Sequence, residues 1–191
     1  MSIPTTLKPT ELDLFDKAIA PVQDALKANL TWLNYSFGKM QKLTKQKGRR
    51  SYQYPGVYYT NNEYLDLLPN DEFGNFSFFI LDPSNEIELN NYNEVNRMKA
   101  PVSIVFWVNL DQVYGEPNRS VESLKIDILR VLLEDIKLTD SRLTVTKVED
   151  QAEDIYREFS IKETDSQFLM KPYAGLRFSG TLDLTNVFCS A

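Results

Sequence analysis

The chain is predicted to be α+β: a mixed, mainly antiparallel sheet flanked by helices, with a long basic hairpin arm. Three observations predict this class. Apolar residues recur at helical spacing over residues 12–34 and again over 120–136. Short aromatic and β-branched runs at 76–81, 102–110 and 176–184 are bounded by turn residues, as buried strands are. Residues 36–60 read as two extended stretches about a Lys47-Gly48-Arg49 turn. The order helix, hairpin, strands, helix, strands is that of an α+β fold.

Each element has a local reason. Thr10 can cap the first helix with Asp13 reaching back, and Leu12, Phe15, Ile19, Val22, Leu26, Leu30 and Leu33 then form one stripe. Pro21 lacks an N–H and crowds the preceding turn, so a kink or a second helix is expected there. Within the hairpin, Pro55 is expected to confine its limb to a sheet edge or to break it. Residues 61–75 carry Asn, Asp, Pro and Gly signals for a loop with one helical turn, and the polar segment 82–100 reads as a second loop. Ser120 caps the second helix, with Glu122 in its first turn. Its stripe is Val121, Leu124, Ile128, Val131, Leu132 and Ile136, supplemented by Ile126, Leu129 and Leu133. That is enough apolar surface to meet a sheet and a neighbouring subunit too. Residues 142–149 alternate as a strand, and 151–159 suit a short helix. In the last strand Leu176, Phe178, Leu182 and Leu184 face one side, with Arg177, Ser179, Thr181 and Asp183 on the other. Gly180 falls on the apolar side and signals a bulge or a close backbone approach.

Composition narrows the functions. The 191 residues suit a single domain, 1–191, with residues 36–60 projecting from it. Histidine is absent, which removes the usual general acid/base, Ser-His-Asp and Cys-His nucleophile systems and Cys/His zinc sites. The single cysteine, Cys189, has no basic neighbour to activate it and no internal disulfide partner. No phosphate-binding loop, nucleotide fingerprint or nucleophile elbow is present, and the acidic groupings at Glu86/Glu88 and Asp150/Glu153/Asp154 lack a calcium-loop pattern. No enzyme activity, cofactor or metal is therefore expected. The longest unbroken apolar run, 104–108, is too short for a membrane span, and no secretory signal is visible, so synthesis in a reducing cytoplasm is expected. Four Asn-x-Ser/Thr triplets, at Asn29, Asn34, Asn75 and Asn118, read as chance without secretion. Trp32 and Trp107 lie on apolar patterns and read as core.

Charge is unevenly placed. Lys39, Lys42, Lys45, Lys47, Arg49 and Arg50 form a run free of acids, and the remaining residues carry 15 basic groups against 27 acidic ones, a balance of −12. With Tyr52, Tyr54, Tyr58 and Tyr59, this basic run is the candidate interface. Three readings stand side by side. It is a solvated hairpin whose tyrosines seal a sheet edge; a nucleic-acid-binding module in which cations meet phosphates and Tyr52 to Tyr64 stack on bases; or an arm that reaches the acidic body of an adjacent copy.

Three stretches together carry a resemblance: YPGVYYTNNEYLDLLPNDEFGNFSFF at 54–79, KAPVSIVFWVNL at 99–110 and MKPYAGLRFSGTLDL at 170–184. They resemble neck and tail-completion ring proteins of tailed bacteriophages, particularly those of crAss-like phages, and the element order is similar to the tail-terminator fold. The resemblance implies a structural virion protein of the neck or tail, made in the host cytoplasm. It implies a homo-oligomeric ring, twelvefold favoured and sixfold as the other option, joining portal or adaptor ring to tail proteins. Genomic DNA would pass through the lumen without specific binding, and no membrane would be involved. The long 36–60 hairpin departs from the smallest members of that fold.

Overall fold

The computed structural model of the protein describes residues 3–9, 11–60, 63–68, 73–82, 86–88, 97–115, 120–136, 138, 140–160 and 171–185. Thr10, Asn118 and Cys189, and parts of the expected loops 61–75 and 82–100, lie outside the described residues. The expected α+β class is what forms. The elements are α1 (Leu14–Asn29), β1 (Tyr35–Lys39), β2 (Gln41–Lys47), β3 (Arg50–Thr60), β4 (Glu63–Asp66), β5 (Phe76–Leu81), β6 (Glu86–Glu88), β7 (Arg97–Asn109), α2 (Leu110–Tyr114), α3 (Val121–Arg130) with a π-helical turn (Val131–Asp135), β8 (Ser141–Glu149), α4 (Ala152–Ile155) and β9 (Tyr173–Thr185).

Six strands make a mixed sheet in the order β1-β5-β7-β9-β8, with β6 continuing the β5 edge of β7. Among the described strand pairs only β1–β5 is parallel. A separate antiparallel sheet, β2-β3-β4, covers part of one face. The period-two pattern of β7 and β9 decides what each face does. Ile104, Phe106, Val108, Leu176, Phe178 and Leu182 point to the helical side, where they pack with Ile19, Val22 and Leu26 of α1 and Leu124 and Ile128 of α3. On the other face a row of rings crosses four strands: Phe37 to Phe76 at 5.9 Å, Phe76 to Trp107 at 5.9 Å, and Trp107 to Tyr173 at 5.1 Å between centroids. Val57, Leu67, Ile155 and Tyr156 close over that row. The result is three layers: helices, main sheet, small sheet.

Several boundaries differ from the sequence reading. The first helix is capped by Asp13, whose Oδ1 accepts the Asp16 N–H at 2.9 Å, not by Thr10 with Asp13 as the reciprocal partner. It runs unbroken through Pro21, whose ring lies on the exposed side, and ends at Asn29 instead of near Asn34. Residues 63–66, expected in a loop, form β4, because pairing with β3 gives their backbone groups partners that a local reading cannot foresee. Likewise, within the expected loop 82–100, residues 86–88 pair with 97–99, and 97–100 pair with β9.

Pro55 does not sit on an edge. It lies in the central strand of the small sheet, where β4 runs out, and its carbonyl accepts the Leu67 N–H at 2.8 Å. The donor that proline lacks would have served the last rung only. At Gly180 both sequence expectations hold. An added Cβ would strike the Thr144 carbonyl, and the β8 register shifts between Val145 and Lys147, a bulge beside the close approach.

Asn34 and Asn75, two of the glycosylation-like triplets, have a structural task. Asn75 is buried; its Nδ2 donates to Trp32 O at 3.0 Å, its Oδ1 accepts Asn109 N at 2.7 Å, and its own N–H reaches Asn34 Oδ1 at 2.8 Å. Asn34 N returns the contact by donating to Asn75 O at 2.8 Å. Together they align the starts of β1 and β5 with the end of β7.

Candidate functional site

The basic run folds as the β2–β3 pair, in register from Gln41↔Gly56 to Lys47↔Arg50, with Gly48 at φ +64 in the turn. Glycine suits that left-handed position because no Cβ crowds the backbone there. The root of the pair is tied down: Gln53 N donates to Ser160 Oγ at 3.0 Å, and Ser160 N donates to Gln53 O at 2.9 Å. Beyond that tie, Gln46 and Gly48 to Ser51 are exposed.

Strand alternation then divides the ten sequence-selected residues. Lys45, Tyr52, Tyr54 and Tyr58 share one face of the small sheet with Tyr64, and the Tyr58 and Tyr64 rings meet edge to face at 5.7 Å. Lys45 pairs with Asp66 and lies 5.7 Å above the Tyr54 ring, which is buried. Tyr59 packs inward against the aromatic core. Lys42 is on the opposite face, 6.0 Å from the Phe159 ring. Lys39 belongs to the main sheet, bonded to Asp13 at 2.5 Å and 3.7 Å from Asp16. Arg49 and Arg50 are exposed at the tip, while the Lys47 side chain is outside the described set. The six basic residues thus do not form one surface.

A second constellation was not selected from sequence. On the small-sheet side, β7 and β9 change character along their length, from Trp107 and Val105 to Ser103, and from Gly175 to Arg177 and Ser179. Arg177 is only 2% exposed. Its Nη1 and Nη2 donate to Glu158 at 2.6 and 2.7 Å, and Nη1 also reaches Ile155 O at 3.3 Å. Arg157 bridges Glu158 (3.5 Å) and Glu149 (3.2 Å); Glu149 also takes Lys147 and the Ser179 hydroxyl at 3.2 Å, and Ser179 lies 3.1 Å from Ser103. Burial by itself would raise both carboxyls, but hydrogen bonds and charge from Lys147 and Arg157 hold Glu149, and from Arg177 hold Glu158, below the usual range. Both acids of this network are therefore ionised at neutral pH. It can hold charge in place, but it contains no raised carboxyl to donate a proton.

The network opens on a cavity of about 550 Å³ between the small sheet and the main sheet, walled by Met40, Ile80, Leu81 and Pro101 and by the polar groups Lys42, Ser103, Arg157 and Arg177. Alternation does place Arg177 off the apolar side of β9. What sequence could not show is that α4 and the turn after it would cover that side. Among the described residues no group of acidic or sulfur side chains could hold a metal ion, and no helix is long and apolar enough to cross a membrane.

Exposed apolar residues mark a different kind of site. Among the described residues four large hydrophobic side chains are exposed: Ile126 (58%) and Leu133 (65%) along α3 and its π-turn, and Tyr58 (39%) and Tyr64 (44%) on the small sheet. One pair lies on the helical layer and the other on the opposite outer layer. No family model matches the chain, and no curated protein is similar to it.

Proposed function

We propose that this chain is a structural subunit that repeats head to tail into a ring, and that the ring belongs to the neck or tail of a tailed phage, between portal and tail around the DNA channel. The observation that carries the assembly reading is the split of exposed apolar surface between two opposite layers. A head-to-tail contact needs two different patches on different sides of the subunit, and it closes into a ring when its rotation allows. The chain outside residues 39–50 carries a balance of −12 while Arg49 and Arg50 are exposed at the hairpin tip, a contrast that favours a copy of the chain as the partner. The phage setting rests on the three resembling stretches.

Native mass spectrometry of Ile126→Asp and Tyr58→Asp, separately and mixed, tests the assembly. Each variant alone should be monomeric, and the mixture should give a dimer, because one intact patch remains on each partner. A wild-type chain that stays monomeric at high concentration and beside its portal would refute the reading.

The exposed pair Tyr58 and Tyr64, with Arg49 and Arg50 on the same hairpin, favours a second reading, a nucleic-acid-binding module. Because Lys39 and Lys45 are already ion-paired, few cations remain for phosphates. Tight DNA binding at low salt that falls steeply as salt rises would establish this second function.

A further inference from the structure

We propose that the cavity beside Arg177 is a binding site for a small organic anion, a carboxylate or phosphate ester whose charged head meets the cations and whose apolar body lies against the apolar lining. Its volume of about 550 Å³ falls in the ordinary range of small-molecule sites, which combine apolar walls with a few converging polar groups.

The charges are unbalanced. Lys42, Arg157 and Arg177 line the cavity against two carboxylates, Asp82 and Glu158. Just outside the wall, Glu149 is shared by Lys147 and Arg157, and counting Glu149 and Lys147 with the lining still leaves one cation in excess. Lys42 makes no ion pair among the described residues; its ammonium rests over the Phe159 ring. Arg157, nearly half exposed, lines the cavity with its Nη1 on Glu149 and its Nε beside Glu158. Arg177 is fixed by Glu158 and Ile155 O and supplies a positive floor that cannot move away. A gap left by imperfect core packing would be lined by apolar groups and stay dry. This one instead combines a cation surplus with the apolar groups Met40, Ile80, Leu81 and Pro101. Ser179 donates to Glu149, so Ser103 donates to Ser179, and the Ser103 oxygen is left as an acceptor for a hydroxyl or amide on the ligand body. A neutral ligand would leave the surplus charge unanswered; an anion answers it.

Titration of the ¹⁵N-labelled full chain with benzoate, phenyl phosphate and uncharged benzamide tests the proposal. Benzoate, phenyl phosphate or both should shift the amide signals of Leu81, Ser103, Ser179 and Gly180 saturably, with Kd at or below about 1 mM. Benzamide should not. Lys42→Gln, at an exposed side chain, should weaken the anion by about tenfold while leaving the rest of the spectrum unchanged, and Arg157→Gln should weaken it by a similar factor with its other amide shifts confined to the Glu149–Glu158 network. Which of the two anions binds more tightly distinguishes a carboxylate from a phosphate site. Absence of saturable shifts with either anion, equal response to benzamide, or binding indifferent to both substitutions would overturn it.

Discussion

Replacing Glu158 with Gln probes the buried end of the charge network. Arg177 lies in the centre of β9, 2% exposed, with two charge-assisted bonds to Glu158 at 2.6 and 2.7 Å. The amide cannot accept both, and it leaves a cation under cover beside Arg157. Removing one partner of a fully buried pair costs about 3–5 kcal/mol. The Glu158 side chain is 27% exposed, so water reaches the site and the lower end, about 3 kcal/mol, is expected. Arg177→Met should cost less, about 1–2 kcal/mol, because Glu158 keeps Arg157 and solvent. The double variant Arg177→Met/Glu158→Leu should be more stable than Glu158→Gln alone, since apolar groups of similar volume replace the pair. Urea denaturation at one fixed protein concentration reads this out, and with a slope of about 2 kcal/mol/M the Glu158→Gln midpoint should fall by about 1.5 M. A midpoint within about 0.3 M of wild type, or a double variant whose loss equals the sum of the losses of Arg177→Met and Glu158→Leu alone, would refute the assignment of the pair as a buried, coupled unit.

The same pair has a pH signature. The folded-state carboxyl of Glu158 lies below its ordinary value of 4.5, so its contribution is fully present above about pH 4.5 and is lost as pH falls through the folded value. The stability gap between wild type and Glu158→Gln should therefore narrow between pH 7 and pH 3 in parallel urea series. Asn75→Ala leaves the Asn109 N–H and the Trp32 carbonyl without their partner, and a loss of about 2–4 kcal/mol is expected by thermal or urea denaturation. Gly180→Ala drives a methyl into the Thr144 carbonyl at the bulge and should cost about 1–3 kcal/mol, with amide exchange accelerated in β8 before the rest of the sheet.

Regular periodicity was readable, and context was not. The alternation of Leu176, Phe178, Leu182 and Leu184, the Ser120 cap and the Gly48 turn are each set by residues within a few positions, and each appears where expected. The stripe supplement Ile126 and Leu133 was also legible as surplus apolar surface, because α3 buries a narrower face than it offers. By contrast β4 is four residues long and exists only because β3 is beside it. The cap of α1 went to Asp13 because two capping residues three apart compete and tertiary contacts choose, here the bond from Lys39. The basic run looked like one feature in sequence, yet a period of two sends Lys42 and Lys45 to opposite faces, and Asp13 and Asp66 draw off two of its charges. Arg177, Glu158 and Glu149 were invisible as a group because three separate segments supply them.

The clasp between Asn34 and Asn75 bears on how this molecule tolerates change. Neighbouring strands that run the same way cannot be aligned by a tight turn, so the placement of β1 against β5 is fixed by two amide side chains and not by the length of chain between them. The small sheet lies between these two posts in the chain, and its own contacts hold it to the main sheet, with Val57 and Leu67 over the aromatic row and Gln53 bonded to Ser160. A longer turn at the exposed hairpin tip, Gly48 to Arg50, should therefore leave the placement of β1 against β5 intact, whereas altering either amide should loosen it with the hairpin unchanged.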